Sequence, residues 1–264
     1  MIENIILGAV QGITEWLPVS SEGMLVLTKI NILGSSQSLT EIIKEALFLH
    51  LGTFFAALIY FRNDAKHLLR SLFNYKNADI NTKKLLSFLI ISTLISAVIG
   101  GLFLKILENV NLPLEAAGKA VSLAIGLLLV VTGSMQLKTK NLGKRKAKDL
   151  KTTDGIVLGI AQGLASFPGL SRSGTTVSAL LFKKFDKKTA LKLSFLMSLP
   201  IVFAGNIILN VNNLSLTQGN IAALLSSFIF GIATIHLLLK LAEKINFGLF
   251  VIGFGILTAA SCLV

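Results

Sequence analysis

An arginine stands among apolar, glycine and serine residues in the stretch Pro168-Gly169-Leu170-Ser171-Arg172-Ser173-Gly174. A guanidinium is planar and permanently charged, and its fork matches two oxygens of a phosphate. Ser171 and Ser173 add hydroxyls, and Gly174 lets the backbone approach a ligand closely. Earlier in the chain, Gln11-Gly12-Ile13-Thr14-Glu15-Trp16-Leu17-Pro18-Val19-Ser20-Ser21-Glu22-Gly23 carries a complementary set. Gln11 and Glu15 are four apart and share one face of a helix. Carboxylates repel a phosphate unless a divalent cation lies between them, and Mg²⁺ takes one or two carboxylates together with substrate phosphate oxygens. Glu15 is therefore the first candidate for metal ligand or general base. Gln11 stands beside it, and Glu22 comes second. Ser20, Ser21, Ser171 and Ser173 together read as a phosphate cradle, and one of them could act as nucleophile.

Each of these residues also has a plainer reading. A serine at a helix break is most often an N-cap. Glu22 could be a charge at an exposed tip, and Arg172 could pair with Glu15 merely to lock two segments together. Of the three histidines, His50 lies in Leu49-His50-Leu51-Gly52-Thr53, inside an apolar run where an ionisable group tends to face the interior. It is a candidate for lining the pocket or transferring a proton. His67 is expected in a solvated connection, and His236 as a packed polar residue.

The elements that must position these groups are set by composition. Of 264 residues, 53% are hydrophobic and 14% charged, against about 25% charge in a soluble domain. Mean hydropathy is +0.77. These values exclude disorder and argue against a soluble enzyme. The single cysteine, Cys262, cannot form an internal disulfide. Six continuous apolar runs, at 43–61, 85–106, 116–137, 190–210, 220–241 and 246–264, are long enough for helices crossing about 30 Å of hydrocarbon. Continuous rather than alternating runs exclude a strand barrel. Met1-Ile2-Glu3 has no basic leader, so no signal peptide is expected. Segments 2–33 and 154–182 fit differently. Each has a short apolar stretch, a Pro/Gly/Ser break and a second short stretch, as in a re-entrant hairpin.

The formal net charge of +12 follows this layout. Basic residues crowd 62–84, 138–151, 183–192 and 240–244, and are missing from 107–115 and 211–219. The positive-inside rule places the rich connections in the cytoplasm and both termini outside. The charge then serves topology and anionic lipid heads rather than nucleic acid.

The two broken segments align without a gap at an offset of about 151 residues. Leu7-Gly8 meets Leu158-Gly159, Gln11-Gly12 meets Gln162-Gly163, and Ser20 meets Ser171. Each copy precedes three spans, an odd number, so the copies face opposite ways across the bilayer. The expectation is an all-α polytopic membrane protein of six transmembrane helices plus two re-entrant helical hairpins in an inverted-topology repeat. Repeat one covers about 1–137, a basic linker 138–153, and repeat two about 154–264. Broken helices leave unpaired N–H groups at their N-termini, an anion site. Two tips brought together would make a phosphate pocket within lipid.

With those motifs in view, the chain resembles the integral-membrane undecaprenyl-pyrophosphate phosphatases of the bacitracin-resistance type. The likeness rests on Gln11 to Gly23 and Pro168 to Gly174, with His50-Leu51-Gly52-Thr53 and Ser194-Phe195-Leu196 also in place. It implies removal of the terminal phosphate from a polyprenyl diphosphate in the cell membrane, with Mg²⁺ or Ca²⁺, at a site reached from the outer face. Carried over by position, Glu15 is the essential carboxylate, Gln11 its partner, Ser21 the nucleophile or phosphate-binding serine, and Arg172 the phosphate-binding arginine. The family's Ser-Ser-Thr-Gly-His is here Ser20-Ser21-Glu22-Gly23-Met24. Met24 cannot transfer a proton. Two readings stay open: Glu22 or His50 takes over the proton work in a diverged phosphatase, or the hairpins move a polyprenyl phosphate between leaflets. An oligomer is compatible with either.

Overall fold

Inside lipid, every backbone amide needs a partner within its own segment, and continuous apolar runs meet that need as helices. The computed structural model describes residues 1–35, 37–110, 114–138, 143–167, 169–210, 217–241 and 247–260, and no strand occurs among them. Its helices are α1 (Ile2–Thr14), α2 (Ser21–Asn31), α3 (Leu39–Tyr60), α4 (Arg62–Phe73), α5 (Ile80–Val110) and α6 (Leu114–Leu137). The second half comprises α7 (Thr152–Leu164), α8 (Arg172–Phe182), α9 (Lys187–Asn210), α10 (Gln218–Leu241) and α11 (Phe247–Ala260).

Four of these helices, α3, α5, α9 and α10, are long and apolar enough to cross a membrane, so the chain is a multi-pass membrane protein. The expected spans 116–137 and 246–264 correspond to α6 and α11, whose described apolar stretches, Ser122–Leu137 and Val251–Ala260, are shorter. Parts of the connections 107–115 and 211–219 and of the linker 138–153, both ends of the span 246–264, and Pro168 lie outside the described residues. Leu94, Val98, Leu102 and Ile106 form an exposed apolar stripe on α5 at helical spacing, as a lipid-facing surface requires. The basic connection 62–84 contains a helix of its own, α4, with Ala65 and Leu68 buried.

Both broken segments are helix pairs: α1 and α2 flank a break at 15–20, and α7 and α8 flank a break at 165–171. Their outer ends are tied together. Lys29, near the end of α2, lies 3.7 Å from Glu3 at the start of α1. Lys183, just past α8, lies 3.1 Å from Asp154 at the start of α7, which also takes Arg145 at 2.6 Å. The outer ends of each pair therefore lie side by side.

The first helix of each pair packs on a long helix of the other half, α1 on α10 and α7 on α5. Glycines four apart make the approach possible, because small residues let backbones meet. A Cβ at Gly8 would lie 2.2 Å from the Ala223 carbonyl oxygen, and one at Gly12 2.6 Å from that of Ser227. On the other side, a Cβ at Gly159 or Gly163 would run into Ile95 or Ile99 of α5. The centre is filled by apolar side chains from both halves, among them Trp16, Phe88, Phe185 and Phe195, with Trp16 edge-on to Phe195 at 5.0 Å.

Candidate active site

The two breaks meet. Ser20 caps α2, its Oγ accepting from the Gly23 N–H at 3.2 Å. Its backbone sits at φ 61°, in the left-handed region that residues with a Cβ seldom occupy. From there the same Oγ also accepts from the Gly169 N–H at 3.0 Å, across 149 residues. Ser171 caps α8 in the equivalent way, accepting from the Gly174 N–H at 3.1 Å. Ser173 donates to the Leu17 carbonyl at 2.8 Å, and Ser171 lies 3.2 Å from Ser173. Three of the four serines read as a phosphate cradle, together with the Gly174 amide, are thus engaged in capping and in stitching one tip to the other.

The charged groups converge beside these tips. Glu15 immediately follows α1 and Arg172 opens α8. A guanidinium nitrogen of Arg172 donates to Glu15 Oε1, and the pair is 16% and 3% exposed respectively. The other arm of Arg172 reaches the Ser194 carbonyl at 3.5 Å, and the guanidinium lies over the Trp16 ring at 5.8 Å. Glu15 Oε2 accepts from Gln11 Nε2 at 2.9 Å and from Ser21 Oγ at 2.7 Å, and lies 3.0 Å from His50 Nε2. His50 Nδ1 is 2.6 Å from the Ala46 carbonyl oxygen. A carbonyl only accepts, so Nδ1 carries a proton, and the contact between Nε2 and Glu15 requires a second one between them.

The cavity bounded by Glu15, Ser20, Ser21, Glu22, His50 and Arg172 has a volume of about 30 Å³. That is room for a water or two but not for a diphosphate. Glu22 borders it without a hydrogen bond or ion pair to any described residue, and Gln11 Oε1 is buried without a partner. Met24 packs on the apolar cluster around Val19 and Ile125. His67 pairs with Thr82 at 3.0 Å, and His236 lies 3.4 Å from the Tyr60 hydroxyl, both away from this cavity. Sequence reasoning did not reach the Ser194 carbonyl, since a backbone acceptor leaves no trace in residue type.

Among the described residues, no group of three or more His, Cys, Asp or Glu is arranged to hold a metal ion. A cation of the Mg²⁺ type needs fewer, because it takes one or two protein oxygens and completes its shell with water and phosphate. Of the expected ligands, Glu22 borders the cavity, whereas Gln11, with its Oε1 buried, does not line it. Glu15 is already engaged by four donors, so it fits a metal only if one of them lets go.

Fold and pocket together define a multi-pass membrane protein with a buried, charge-paired polar site where two broken helices meet. The chain matches the family described as "Bacitracin resistance protein BacA" over residues 4–260, and it belongs to that family. Similar proteins include one from Methanococcoides burtonii, 42% identical with 97% of this chain and 96% of the relative covered. Another from Methanothrix thermoacetophila is 35% identical, covering 98% and 96%, and one from Syntrophotalea carbinolica is 37% identical, covering 92% and 90%. All three carry the name undecaprenyl-diphosphatase.

Proposed function

We propose that this chain removes the terminal phosphate from a long-chain polyprenyl diphosphate of the undecaprenyl type, returning the monophosphate carrier to cell-envelope glycan synthesis. The observation that carries this reading is the meeting of Arg172 and Glu15, from opposite halves of the chain, beside Ser21 and His50. The names of the relatives supply the substrate class.

Each residue has a distinct task. Arg172 holds the terminal phosphate in two-point contact, leaving Glu15 as the phosphate enters. Ser21 Oγ attacks phosphorus while Glu15 Oε2 takes its proton, the relation of nucleophile to adjacent base. The bond from phosphorus to the bridging oxygen breaks, and the polyprenyl monophosphate leaves with a proton from His50 Nε2. Water then attacks the phosphoserine, His50 Nε2 taking the water's proton and Glu15 returning its own to Ser21 Oγ as the phosphate leaves. Glu22 and Gln11 Oε1, with Glu15 adjoining, would hold a divalent cation, Mg²⁺ or Ca²⁺, whose chemistry there would be charge neutralisation of the diphosphate. A relay of nucleophile, base and proton donor has no use in moving a lipid between leaflets, so hydrolysis is preferred over transport.

The same reading sets the topology: six spans and two re-entrant hairpins, as repeats 1–137 and 154–264 joined by the linker 138–153. The ties of Glu3 to Lys29 and Asp154 to Lys183 support hairpins that enter and leave by one face. The exchange of α1 onto α10 and α7 onto α5 supports an inverted pair. The excess of Lys and Arg supports cytoplasmic basic connections, and so both termini outside, in a plasma-membrane protein.

The test is phosphate release from a long-chain prenyl diphosphate by the purified protein in detergent, with and without Mg²⁺ or Ca²⁺. Cation-dependent release that is lost in Arg172→Ala is expected. Release no greater than that of the Arg172→Ala control, across several cations, overturns the proposal.

A further inference from the structure

Far larger than the polar pocket is a second cavity of about 490 Å³ between α3, α4, α5 and α9. Its volume is that of a ligand site, which typically spans about 300–1,000 Å³. Its walls are apolar save for Thr93, and include Phe54, Leu69, Leu72, Leu94 and Phe203. The α4 residues Ala65, Leu68, Leu69 and Leu72 turn one face of that helix toward it. Next to this face, four residues apart and on one flank, stand Arg62, Lys66 and Arg70, all exposed. None of the three forms an ion pair with a described residue. The neighbouring acid Asp64 is 2.7 Å from Lys192, and Asp79 is bonded to Thr82 and Asn81. Phe73, 89% exposed at the end of α4, gives the helix an apolar anchor beside the basic flank. Apolar face, basic flank and aromatic end are the marks of a helix lying in the membrane interface.

We infer that this cavity and flank form a binding site for an anionic phospholipid, its acyl chain in the cavity and its phosphate against Arg62, Lys66 and Arg70. Charge selects the occupant: three uncompensated cations at the rim of an apolar hollow fit an anionic head with a hydrocarbon tail. A zwitterionic lipid leaves the cations unanswered. The orientation proposed above puts the site in the cytoplasmic leaflet, opposite the outer-face entry that the family resemblance implies for the substrate. The site itself depends neither on that orientation nor on the phosphatase reading.

Each basic residue near a lipid surface is worth about a fivefold preference for anionic over neutral lipid. Retention of phosphatidylglycerol and phosphatidylcholine by the delipidated protein in detergent, read by native mass spectrometry, tests the inference. Wild type is expected to retain one phosphatidylglycerol at least about tenfold more tightly than phosphatidylcholine. Arg62→Ala/Lys66→Ala/Arg70→Ala should bring the two within about twofold while leaving phosphate release in detergent unchanged. Leu69→Trp, which narrows the cavity, should weaken both lipids, and its thermal midpoint checks that it is folded. Equal retention of the two lipids by wild type overturns the inference. So does one-for-one displacement of phosphatidylglycerol by a prenyl diphosphate, which would make the cavity the substrate's tail groove. A dimer that covers it and excludes lipid refutes it as well. Loss of phosphate release in wild type with lipid selectivity intact would instead count against the phosphatase reading.

Discussion

Replacing Glu15 by glutamine keeps the size of the side chain and removes its charge, and so separates stability from chemistry. In the wild type, Oε1 accepts from Arg172, and Oε2 is shared by Gln11, Ser21 and His50. A glutamine offers one oxygen and one NH₂. Whichever way it turns, the NH₂ faces a donor: the guanidinium on one side, or an amide, a hydroxyl and an imidazole on the other. Removing one partner of a buried ion pair costs about 3–5 kcal/mol, because the other charge stays buried and unanswered. Glu15→Gln should therefore lower the unfolding free energy by about that amount and cut turnover by a further 10²–10⁴-fold or so through loss of the base. Glu15→Gln/Arg172→Met removes both charges at similar volume. It should regain most of the stability and none of the activity. The assays are equilibrium unfolding in mixed micelles and phosphate release from a prenyl diphosphate. If Glu15→Gln unfolds within about 1 kcal/mol of wild type, or the double variant is no more stable than the single one, the pair is not the desolvated contact argued here.

Three further outcomes are expected. His50→Ala should slow turnover about 10²–10⁴-fold with little change in KM, since the imidazole acts through protons and Arg172 through binding; turnover near wild type would remove His50 from the mechanism. Ser20→Ala deletes an N-cap and leaves the Gly169 amide without its partner, which should cost about 1–3 kcal/mol in unfolding measurements. Unchanged stability would mean the tips are not joined through this hydroxyl. Gly12→Leu, placed where even a Cβ would be 2.6 Å from a carbonyl oxygen, should separate α1 from α10 and yield little monodisperse protein, whereas substitution at Gly101, with nothing within 4 Å, should be tolerated. Equal yields from the two would refute the close approach.

Much of this arrangement is legible in the chain. The breaks announce themselves because proline, glycine and serine interrupt apolar runs too short to span a bilayer, and Arg172 is conspicuous because a charge at that depth needs a partner. The match of Gly8 and Gly12 with Gly159 and Gly163 signals the repeat, but what the glycines touch depends on tertiary packing that periodicity does not encode. Helix α4 was hidden for another reason. Its apolar residues at 65, 68, 69 and 72 keep the helical period, but Arg62, Lys66 and Arg70 make the stretch too polar to stand out as an apolar run. Serine chemistry was ambiguous from the start. A hydroxyl at a helix break serves a cap or a ligand equally well, and only the distances to Gly169 and Leu17 assign Ser20 and Ser173 to the joint between the tips.

That joint bears on how the two halves must be made. The Gly169 amide is satisfied by a hydroxyl from the first half, and the Leu17 carbonyl by one from the second. A fragment expressed by itself would carry a raw edge of unpaired backbone at this joint. Two fragments supplied together, cut within the linker, should instead find each other and recover the function that neither has.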